Sequence, residues 1–276
     1  MSYGFASGLE GSRSFFARRF AGAADVAADE NVAVEMPVAL VFSGRSFAVM
    51  LATPTNLADF ACGFALTEGV VENVSEIEFI EIRREDRGVE VRVEIPQDRA
   101  LALDGRRRSL AGRTGCGLCG VDRFSEALRP VAAVNGALRI PPGALRRAVA
   151  DMSRHQVLNA SVGSVHAAAF ADESGEILLA REDVGRHNAL DKLIGALHAG
   201  EIDPSAGFVL VSSRCSYEMV HKTASAGIGL IAAVSAPTSL AIELADKVRV
   251  GLVGYAREGR FTVYATPWRV AEGGEG

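Results

Sequence analysis

The sequence predicts an α/β protein in which a small α+β roll precedes a larger sheet-and-helix domain. The chain has 276 residues, enough for one large domain or two small ones. Residues 35–96 contain two pairs of short alternating segments around one helical segment. From residue 141 onward, strand-like segments alternate with helices of about ten residues. This order is typical of a largely parallel sheet with helices on its faces.

The composition excludes several classes of protein. Lysine and arginine total 29, and aspartate and glutamate total 34, so the formal net charge is −5. Because sequence-independent binding of nucleic acid depends on neutralising phosphates, we expect no nucleic-acid partner. Four cysteines are too few for a disulfide-stapled secreted scaffold. An anionic ligand would have to be met by local positive charge.

Residues 1–34 are predicted to form a flexible, loosely ordered tail. The arginine pair at 18–19 superficially resembles an export signal, but acidic residues interrupt the segment that follows, where such a signal needs an apolar run. The uncharged stretch 223–242 contains proline, glycine and serine, and is too polar and too broken for a membrane-spanning helix. We therefore expect a soluble, cytoplasmic protein with no membrane partner.

Residues 35–104 are predicted to form the small α+β domain, with the order β-β-α-β-β. Two alternating segments flank Ser43, Gly44 and Arg45, which is a hairpin signal. A helix follows, with apolar residues at helical spacing, and two more strands surround the polar residues 84–88.

Residues 105–140 lack clear periodicity and are predicted to be a mobile connector rich in glycine and arginine. Residues 141–270 are predicted to form the larger α/β domain, in the order α-ββ-α-β-α-β-α-ββ. Ligands of such sheets favour the carboxyl ends of the strands, where loops enter helices.

The strongest chemical signal is the segment GCGLCG, which places Cys116 and Cys119 at CxxC spacing. Such a pair can form a disulfide, bind a metal, or divide the roles of nucleophile and resolving thiol. Arginines at 106–108, 113 and 123 surround the pair, and positive charge favours the nucleophilic thiolate. The segment therefore indicates a reactive sulfur, with a zinc half-site or an incidental exposed pair as alternatives.

A zinc site finds little support in the sequence, and we expect no metal. A structural zinc ion normally takes four protein ligands, and the sequence has no second CxxC and no HxxxH. A zinc deaminase would need a glutamate two residues after its histidine and a CxxC downstream. Here His166 is followed by Ala167 and Ala168, and the CxxC precedes it.

Four other segments follow predicted strands and could hold a ligand: residues 181–188, 212–218, 235–239 and 255–260. Small hydroxyls and backbone N–H groups at a helix start suit phosphate, and arginines beside an aromatic residue suit phosphate and base. Solvated helix caps, a buried Cys215 and an ordinary charged hairpin are the alternatives. The candidate ligand-binding residues are Asp183, Arg186, His187, Ser213, Arg214, Tyr255, Ala256, Arg257, Glu258, Gly259 and Arg260.

Taken together, these segments resemble the FdhD family, the accessory sulfurtransferases of molybdenum-dependent formate dehydrogenases. The resemblance runs from Glu35 to Trp268. It rests on MPVALVF, FACGFALTEGVVE, RRRSLAGRTGCGLCGV, SVHAAAF, REDVGRHNALDKLIG, VSSRCSYEMVHKTASAGI, AAVSAPTSLAIELA and LVGYAREGRFTVY.

The resemblance implies a sulfur carrier that accepts persulfide sulfur from a cysteine desulfurase. The carrier would pass this sulfur to the molybdenum of bis-molybdopterin guanine dinucleotide, the cofactor of formate dehydrogenase. Cys116 would carry the persulfide, Cys119 would assist, and residues 255–260 would contact the cofactor. The resemblance also implies a homodimer and a C-terminal α-β-α domain like cytidine deaminase but without its zinc site.

Cys215 departs from the family, which is expected to have a small non-thiol residue there. A thiol facing the cofactor could itself accept sulfur. Two other functions stay open: a chaperone that delivers the cofactor without sulfur chemistry, and a zinc-stabilised structural protein.

Overall fold

The structure is a computed structural model that describes residues 2–4, 10–22, 24–103, 128–257 and 259–272. The helices and strands are β1 (Ser2–Gly4), β2 (Ser12–Ala21), β3 (Ala24–Ala33), β4 (Met36–Phe42), β5 (Arg45–Ala52), α1 (Leu57–Thr67), β6 (Phe79–Glu85), β7 (Gly88–Glu94), α2 (Gln97–Ala102), α3 (Pro142–Asp151), α4 (Val157–Val162), β8 (His166–Asp172), β9 (Ile177–Asp183), α5 (Arg186–Ala199), β10 (Gly207–Val211), α6 (Tyr217–Ser225), β11 (Leu230–Ala233), α7 (Ser239–Lys247), β12 (Gly251–Arg257) and β13 (Arg260–Ala265).

The first sheet has the strand order β1-β6-β7-β4-β5. Strands β4 and β5 form the predicted hairpin, β6 and β7 form the second one, and β4 runs parallel to β7. Alternate residues of these strands are buried, together with one face of α1, in a single apolar core. The order β4-β5-α1-β6-β7 is therefore the predicted β-β-α-β-β roll, with β1 added at its edge.

The second sheet has the strand order β13-β12-β11-β10-β8-β9. Strands β10, β11 and β12 are hydrogen-bonded in parallel pairs, whereas β8, β9 and β13 join the sheet through antiparallel pairs. The prediction of a largely parallel sheet is thus wrong, because the outer strands belong to hairpins whose short turns reverse the chain.

Helices cover both faces of this second sheet. Residues of α5, α6 and α7 share one apolar core with the sheet, and residues of α3 share another. Within the described residues, no helix is both long enough and apolar enough to cross a membrane.

The amino-terminal region differs from the predicted loose tail. Strands β2 and β3 form an antiparallel hairpin of ten residues each, turned at Gly22, where φ is +61°. Arg18 pairs with Asp25 across the strands, and Arg19 Nε donates to Glu30 at 2.8 Å. The hairpin was missed because both of its faces are largely exposed, so its strands lack the apolar–polar alternation of a half-buried sheet.

The end of the predicted connector also differs from the expectation. Residues 128–140 have an irregular backbone, yet Val134 and Ile140 are buried in the cores of the second domain. The buried guanidinium of Arg269 donates to the carbonyls of Val134 and Gly136, at 2.9 and 3.0 Å. This stretch therefore belongs to the α/β domain, while residues 105–127 lie outside the described residues.

Helices α1 and α5 cross at two glycines and join the two domains. A Cβ atom on Gly63 would lie 1.8 Å from the Asp191 carbonyl oxygen, and one on Gly195 would lie 1.9 Å from the Asp59 carbonyl oxygen. The two backbones are therefore in direct contact, at a separation that only glycine permits.

Buried and partly buried charges surround this crossing. Lys222 contacts Asp191 at 2.8 Å and Glu68 at 3.2 Å, and its Nζ lies 2.9 Å from the Thr67 hydroxyl. Burial alone would lower the pKa of Lys222, but the nearby Asp191 and Glu68 carboxylates raise it. On the other side, Arg181 Nε donates to Asp59 at 2.8 Å. These pairs connect α1 to the second domain and leave the charges compensated.

We predict that Gly63→Ala severely destabilises the protein. The added methyl meets backbone, which cannot rotate away, so we expect a loss of about 3 kcal/mol or more, or a chain that does not fold. Gly143→Ala in α3 is the matched control, since nothing lies within 4 Å of a Cβ there. Chemical unfolding of both variants tests this, and equal stability of the two would contradict the close crossing.

We also predict that His221 makes stability fall in mild acid. Burial, followed by the charges of Arg129 and Lys222, lowers the pKa of His221 from 6.5 to about 4. Below pH 6.5 the unfolded chain therefore binds a proton that the folded chain excludes. Stability should decline toward pH 4, by up to about 3 kcal/mol.

The variant His221→Phe should lose this part of the pH dependence. The measurement is urea unfolding of both proteins at pH 7 and pH 5. Parallel changes in the two proteins would show that His221 does not carry the effect.

Candidate functional site

Four of the predicted segments lie at one edge of the second sheet. Strands β10, β11 and β12 are parallel, and β9 runs in the same direction because β8 is antiparallel to both β9 and β10. The carboxyl ends of all four strands therefore meet at one edge. Backbone hydrogen bonds join their loops: Thr238 N–H donates to the Cys215 carbonyl at 3.0 Å, and Tyr255 N–H donates to the Ser235 carbonyl at 3.1 Å.

Asp183 closes β9 and is fully buried. Its carboxylate lies 2.6 Å from Lys192 Nζ and accepts from the N–H groups of Thr53 and Gly185, at 3.0 and 2.8 Å. The Asn188 amide donates to the same carboxylate at 3.0 Å. With all of these contacts inside the protein, Asp183 holds the loop to the first domain and presents no carboxylate at the edge.

Arg186 and His187 begin α5, next to this buried aspartate. Arg186 is partly exposed, and its charge adds to burial in lowering the pKa of His166. His187 is buried, and its Nε2 lies 3.9 Å from Glu218 in the first turn of α6. The structure therefore brings segments 181–188 and 212–218 together at the start of two neighbouring helices.

In the segment after β10, Arg214 is exposed but Ser213 is buried. The Ser213 hydroxyl donates to the Arg214 carbonyl at 2.9 Å, so it is engaged within its own loop. Cys215 is fully buried, and burial raises its thiol pKa. Its backbone bridges to Pro237, which makes it a link between two loops. A buried, protonated thiol is a poor sulfur acceptor.

The turn between β12 and β13 presents an aromatic and two arginine side chains. Tyr255 is 41% exposed in a left-handed conformation, with φ at +52°. The Arg257 guanidinium carbon lies 5.9 Å from the centre of the Tyr255 ring, and Arg257 and Arg260 are both exposed. Ala256 is buried, whereas Gly259 makes the turn with φ at +75°. Glu258 lies outside the described residues.

Three helices begin at this edge without a side-chain cap. The N-cap residues are Gly185 for α5, Ser216 for α6 and Thr238 for α7, and none makes a side-chain hydrogen bond to its helix. The first-turn N–H groups therefore lack the usual side-chain acceptor, and together with the helix dipoles they favour an anion. The edge combines these donors with the guanidinium groups of Arg186, Arg214 and Arg257.

A cleft of ≈510 Å³ opens beside this edge, on the face covered by α3. Ser212, Ala256, Arg257 and Gly259 line it from the predicted segments, and Val234 lines it from just after β11, directly before segment 235–239. Its other wall comes from residues that the sequence did not single out, namely Arg146, Val149, Ala150, Met152, Ser153 and Gln156. Helical spacing predicted this helix, but it could not show which strand ends α3 faces.

Cys116, Cys119 and the arginines that surround them lie outside the described residues. The two cysteines that the structure describes, Cys62 and Cys215, are buried free thiols, and burial raises the pKa of Cys62 to about 12. In the described part of the chain, no three histidine, cysteine, aspartate or glutamate side chains are grouped so as to hold a metal ion.

Comparison with known proteins gives a consistent result. The sequence model of the FdhD/NarQ family matches residues 33–271. A sulfur carrier protein FdhD from Bordetella bronchiseptica is 52% identical over 242 residues, which are 88% of each chain. A protein of the same name from Xanthomonas euvesicatoria is 48% identical over 253 residues, covering 92% of this chain and 90% of the relative.

A solved structure shares the fold. The crystal structure of a protein from Desulfotalea psychrophila, described as a formate dehydrogenase accessory protein, aligns with a TM-score of 0.73 at 24% identity. The alignment covers 94% of this chain and 99% of that one. The length of these matches, together with the identity to the two relatives, shows that this chain belongs to the FdhD/NarQ family.

Proposed function

We propose that this protein is a sulfur carrier in the maturation of a molybdenum-dependent formate dehydrogenase. It would take sulfur from a cysteine desulfurase and deliver it to the molybdenum of bis-molybdopterin guanine dinucleotide. The observation that carries this proposal is the 52% identity, over 242 residues, to a protein named as a sulfur carrier.

Sulfur capture uses the Cys116 thiolate. It attacks the terminal sulfur of the desulfurase persulfide, the S–S bond of that persulfide breaks, and the desulfurase cysteine leaves as a thiolate. One sulfur atom moves and no net oxidation occurs. The terminal sulfur on Cys116 is more acidic than a thiol, and the neighbouring arginines favour its anion.

Sulfur release requires two electrons if the terminal sulfur is to leave as sulfide. Cys119 can supply them as the resolving thiol, since its thiolate can attack the Cys116 sulfur. The Cys116–Cys119 disulfide forms, the S–S bond of the persulfide breaks, and sulfide is delivered to the metal. A cellular dithiol reductant then restores the two thiols.

The edge of the second sheet fits the acceptor cofactor. Exposed guanidinium groups and uncapped helix starts suit its phosphates, and the exposed Tyr255 ring suits a flat heterocycle. We assign Arg186, Arg214, Tyr255, Arg257 and Arg260 to direct contact with the cofactor. Asp183 and Ser213 support their loops instead, because their polar groups are engaged inside the protein.

We further propose that the second domain has a cytidine-deaminase-like α-β-α arrangement without the zinc site. The order of residues supports the absence of the zinc site, because the CxxC precedes His166, whereas the CxxC that binds zinc in a deaminase follows the histidine. We also propose that the protein acts as a homodimer in the cytoplasm, where thiols stay reduced.

We predict that Cys116→Ala abolishes sulfur delivery and leaves the fold intact. Formate dehydrogenase activity after co-expression should fall to the level seen without the carrier. Cys215→Ala is the matched control and should support wild-type activity, because that thiol is buried. Wild-type activity in Cys116→Ala would remove Cys116 from the mechanism.

The variant Cys119→Ala tests whether sulfur capture by Cys116 and sulfur release are separate steps. If Cys119 resolves the persulfide, this variant should still gain one sulfur atom on Cys116 after incubation with desulfurase and cysteine, as measured by mass spectrometry. It should support little dehydrogenase activity. A wild-type protein that gains no sulfur on Cys116 while still supporting activity would favour the alternative, a chaperone that only delivers the cofactor.

A further inference from the structure

We propose that the β2–β3 hairpin is a docking arm for the polypeptide of the dehydrogenase that receives the cofactor, with Phe16 and Phe20 as its contact residues. This inference rests on the proposed function, because it assigns a surface of this chain to the acceptor enzyme. Nearly all of the hairpin precedes residues 33–271, which the family model matches. The hairpin is therefore a feature outside the motifs that carry the sulfur chemistry.

The hairpin exposes three aromatic side chains to solvent. Phe16 is 76% exposed, Phe20 is 70% exposed and Phe15 is 51% exposed. A two-stranded hairpin alone is at best marginally stable in water, because it has no core in which to bury such side chains. A cluster of large exposed apolar side chains is typical of a surface that another molecule covers.

The base of the hairpin packs on α4, which connects it to the proposed cofactor edge. The Asn31 amide donates to the Ser161 hydroxyl at 3.1 Å. At the other end of α4, the N–H groups of Leu158 and Asn159 donate to the Glu182 carboxylate at 2.7 and 2.8 Å. Glu182 lies at the end of β9, where that strand reaches the edge. A protein that takes the cofactor from this edge therefore approaches beside the hairpin.

One face of the hairpin is covered near its base and uncovered farther out. Asn31 lies opposite Ser14 in the antiparallel register, so its side chain shares a face with Phe16 and Phe20. This face meets α4 at Asn31. Phe20 lies six residues farther along the strands, about 20 Å away. The two exposed phenyl rings therefore project beyond α4.

The charges of the hairpin favour a protein partner. Residues 12–33 contain three arginines and three acidic residues, so the hairpin has no net charge. Arg18 pairs with Asp25, and Arg19 Nε donates to Glu30 at 2.8 Å. Nucleic acids and anionic membranes are bound through net positive charge, which the hairpin lacks. Exposed aromatic side chains with arginines among them are typical of protein–protein interfaces.

Both faces of the hairpin carry apolar residues, and this favours a larger partner over a second copy of the chain. Phe16 and Phe20 lie on one face, whereas Phe15, Val26 and Val32 lie on the other. A face-to-face contact between two hairpins about a twofold axis covers one face of each and leaves the other in water. A groove in a larger protein covers both faces.

The test is binding of the full chain to the catalytic subunit of a molybdenum-dependent formate dehydrogenase, produced without cofactor and immobilised for biolayer interferometry. The double variant Phe16→Ser, Phe20→Ser should bind about tenfold more weakly or worse, since two apolar contacts are lost. Val49→Ser is the matched control, because it replaces a 53% exposed strand residue of the first sheet. It should bind within about twofold of wild type.

A second double variant, Phe16→Tyr, Phe20→Tyr, keeps both aromatic rings and should bind within about threefold of wild type. Thermal unfolding checks that each variant is folded. The serine variant should still gain sulfur on Cys116 after incubation with desulfurase and cysteine. Dehydrogenase activity after co-expression with the serine variant should fall, because delivery needs the docked complex.

The inference is overturned if the serine variant binds like wild type, or if the tyrosine variant binds as weakly as the serine variant. It is also overturned if light scattering shows that the serine substitutions change the oligomeric state, since the hairpin would then belong to a contact with a second copy. Failure of the proposed function has a different signature: wild-type protein gains no sulfur on Cys116. Wild-type protein that gains sulfur but does not bind the catalytic subunit keeps the sulfur carrier and rejects the docking arm.

Discussion

The backbone contact between α1 and α5 is the constraint on which the rest of the molecule depends. Gly63 and Gly195 each face a carbonyl of the opposite helix, those of Asp191 and Asp59. The side chains of these same aspartates form a buried pair with Lys222 and a partly buried pair with Arg181. One short stretch of each helix therefore sets both how closely the domains approach and which charges meet. Removing Asp191 or Lys222 would leave the other charge buried without a partner. The ion pairs and the close packing of the helices therefore stabilise the same contact.

The contact between α1 and α5 also positions the edge of the second sheet to which we assign the cofactor. Helix α5 begins at that edge, and the buried Asp183–Lys192 pair ties its start to Thr53, the residue after β5 in the first domain. Lys192 Nζ donates to the Thr53 carbonyl at 2.8 Å. Burial lowers the pKa of Lys192, so the aspartate charge is needed to keep the ammonium in place. The sequence suggested Asp183 as a ligand-binding residue. In the structure, its carboxylate holds the loop from which Arg186 and His187 begin α5. The first domain contributes to the site by holding this loop.

The features that the sequence predicts well are set by local residue patterns. The features that it misses depend on contacts between residues far apart in the chain. The β4-β5-α1-β6-β7 roll follows from alternation and helical spacing within short segments. The role of Asp183 depends on Thr53, which lies 130 residues earlier in the chain. The exposure of Arg146 to the cleft depends on where α3 crosses the second sheet. The sequence motifs predicted four segments that the structure brings to one edge, since strand ends and glycine turns are local features, whereas the opposite wall of the cleft is formed only by packing.

The residues on either side of segment 104–127, which contains Cys116 and Cys119, are held firmly by the two domains. Leu103 is buried in the first core, and Arg129 pairs with Glu68 at 2.9 Å at the end of α1. The Arg129 carbonyl also accepts from the Tyr217 hydroxyl at 3.1 Å, and Tyr217 is the first residue of α6. Because α6 starts where the carboxyl ends of the parallel strands meet, this hydrogen bond joins Arg129 to the same edge of the second sheet. Under the proposed function, a sulfur bound to Cys116 would be covalently linked to the chain that holds the cofactor, so its transfer would be intramolecular once the cofactor is bound.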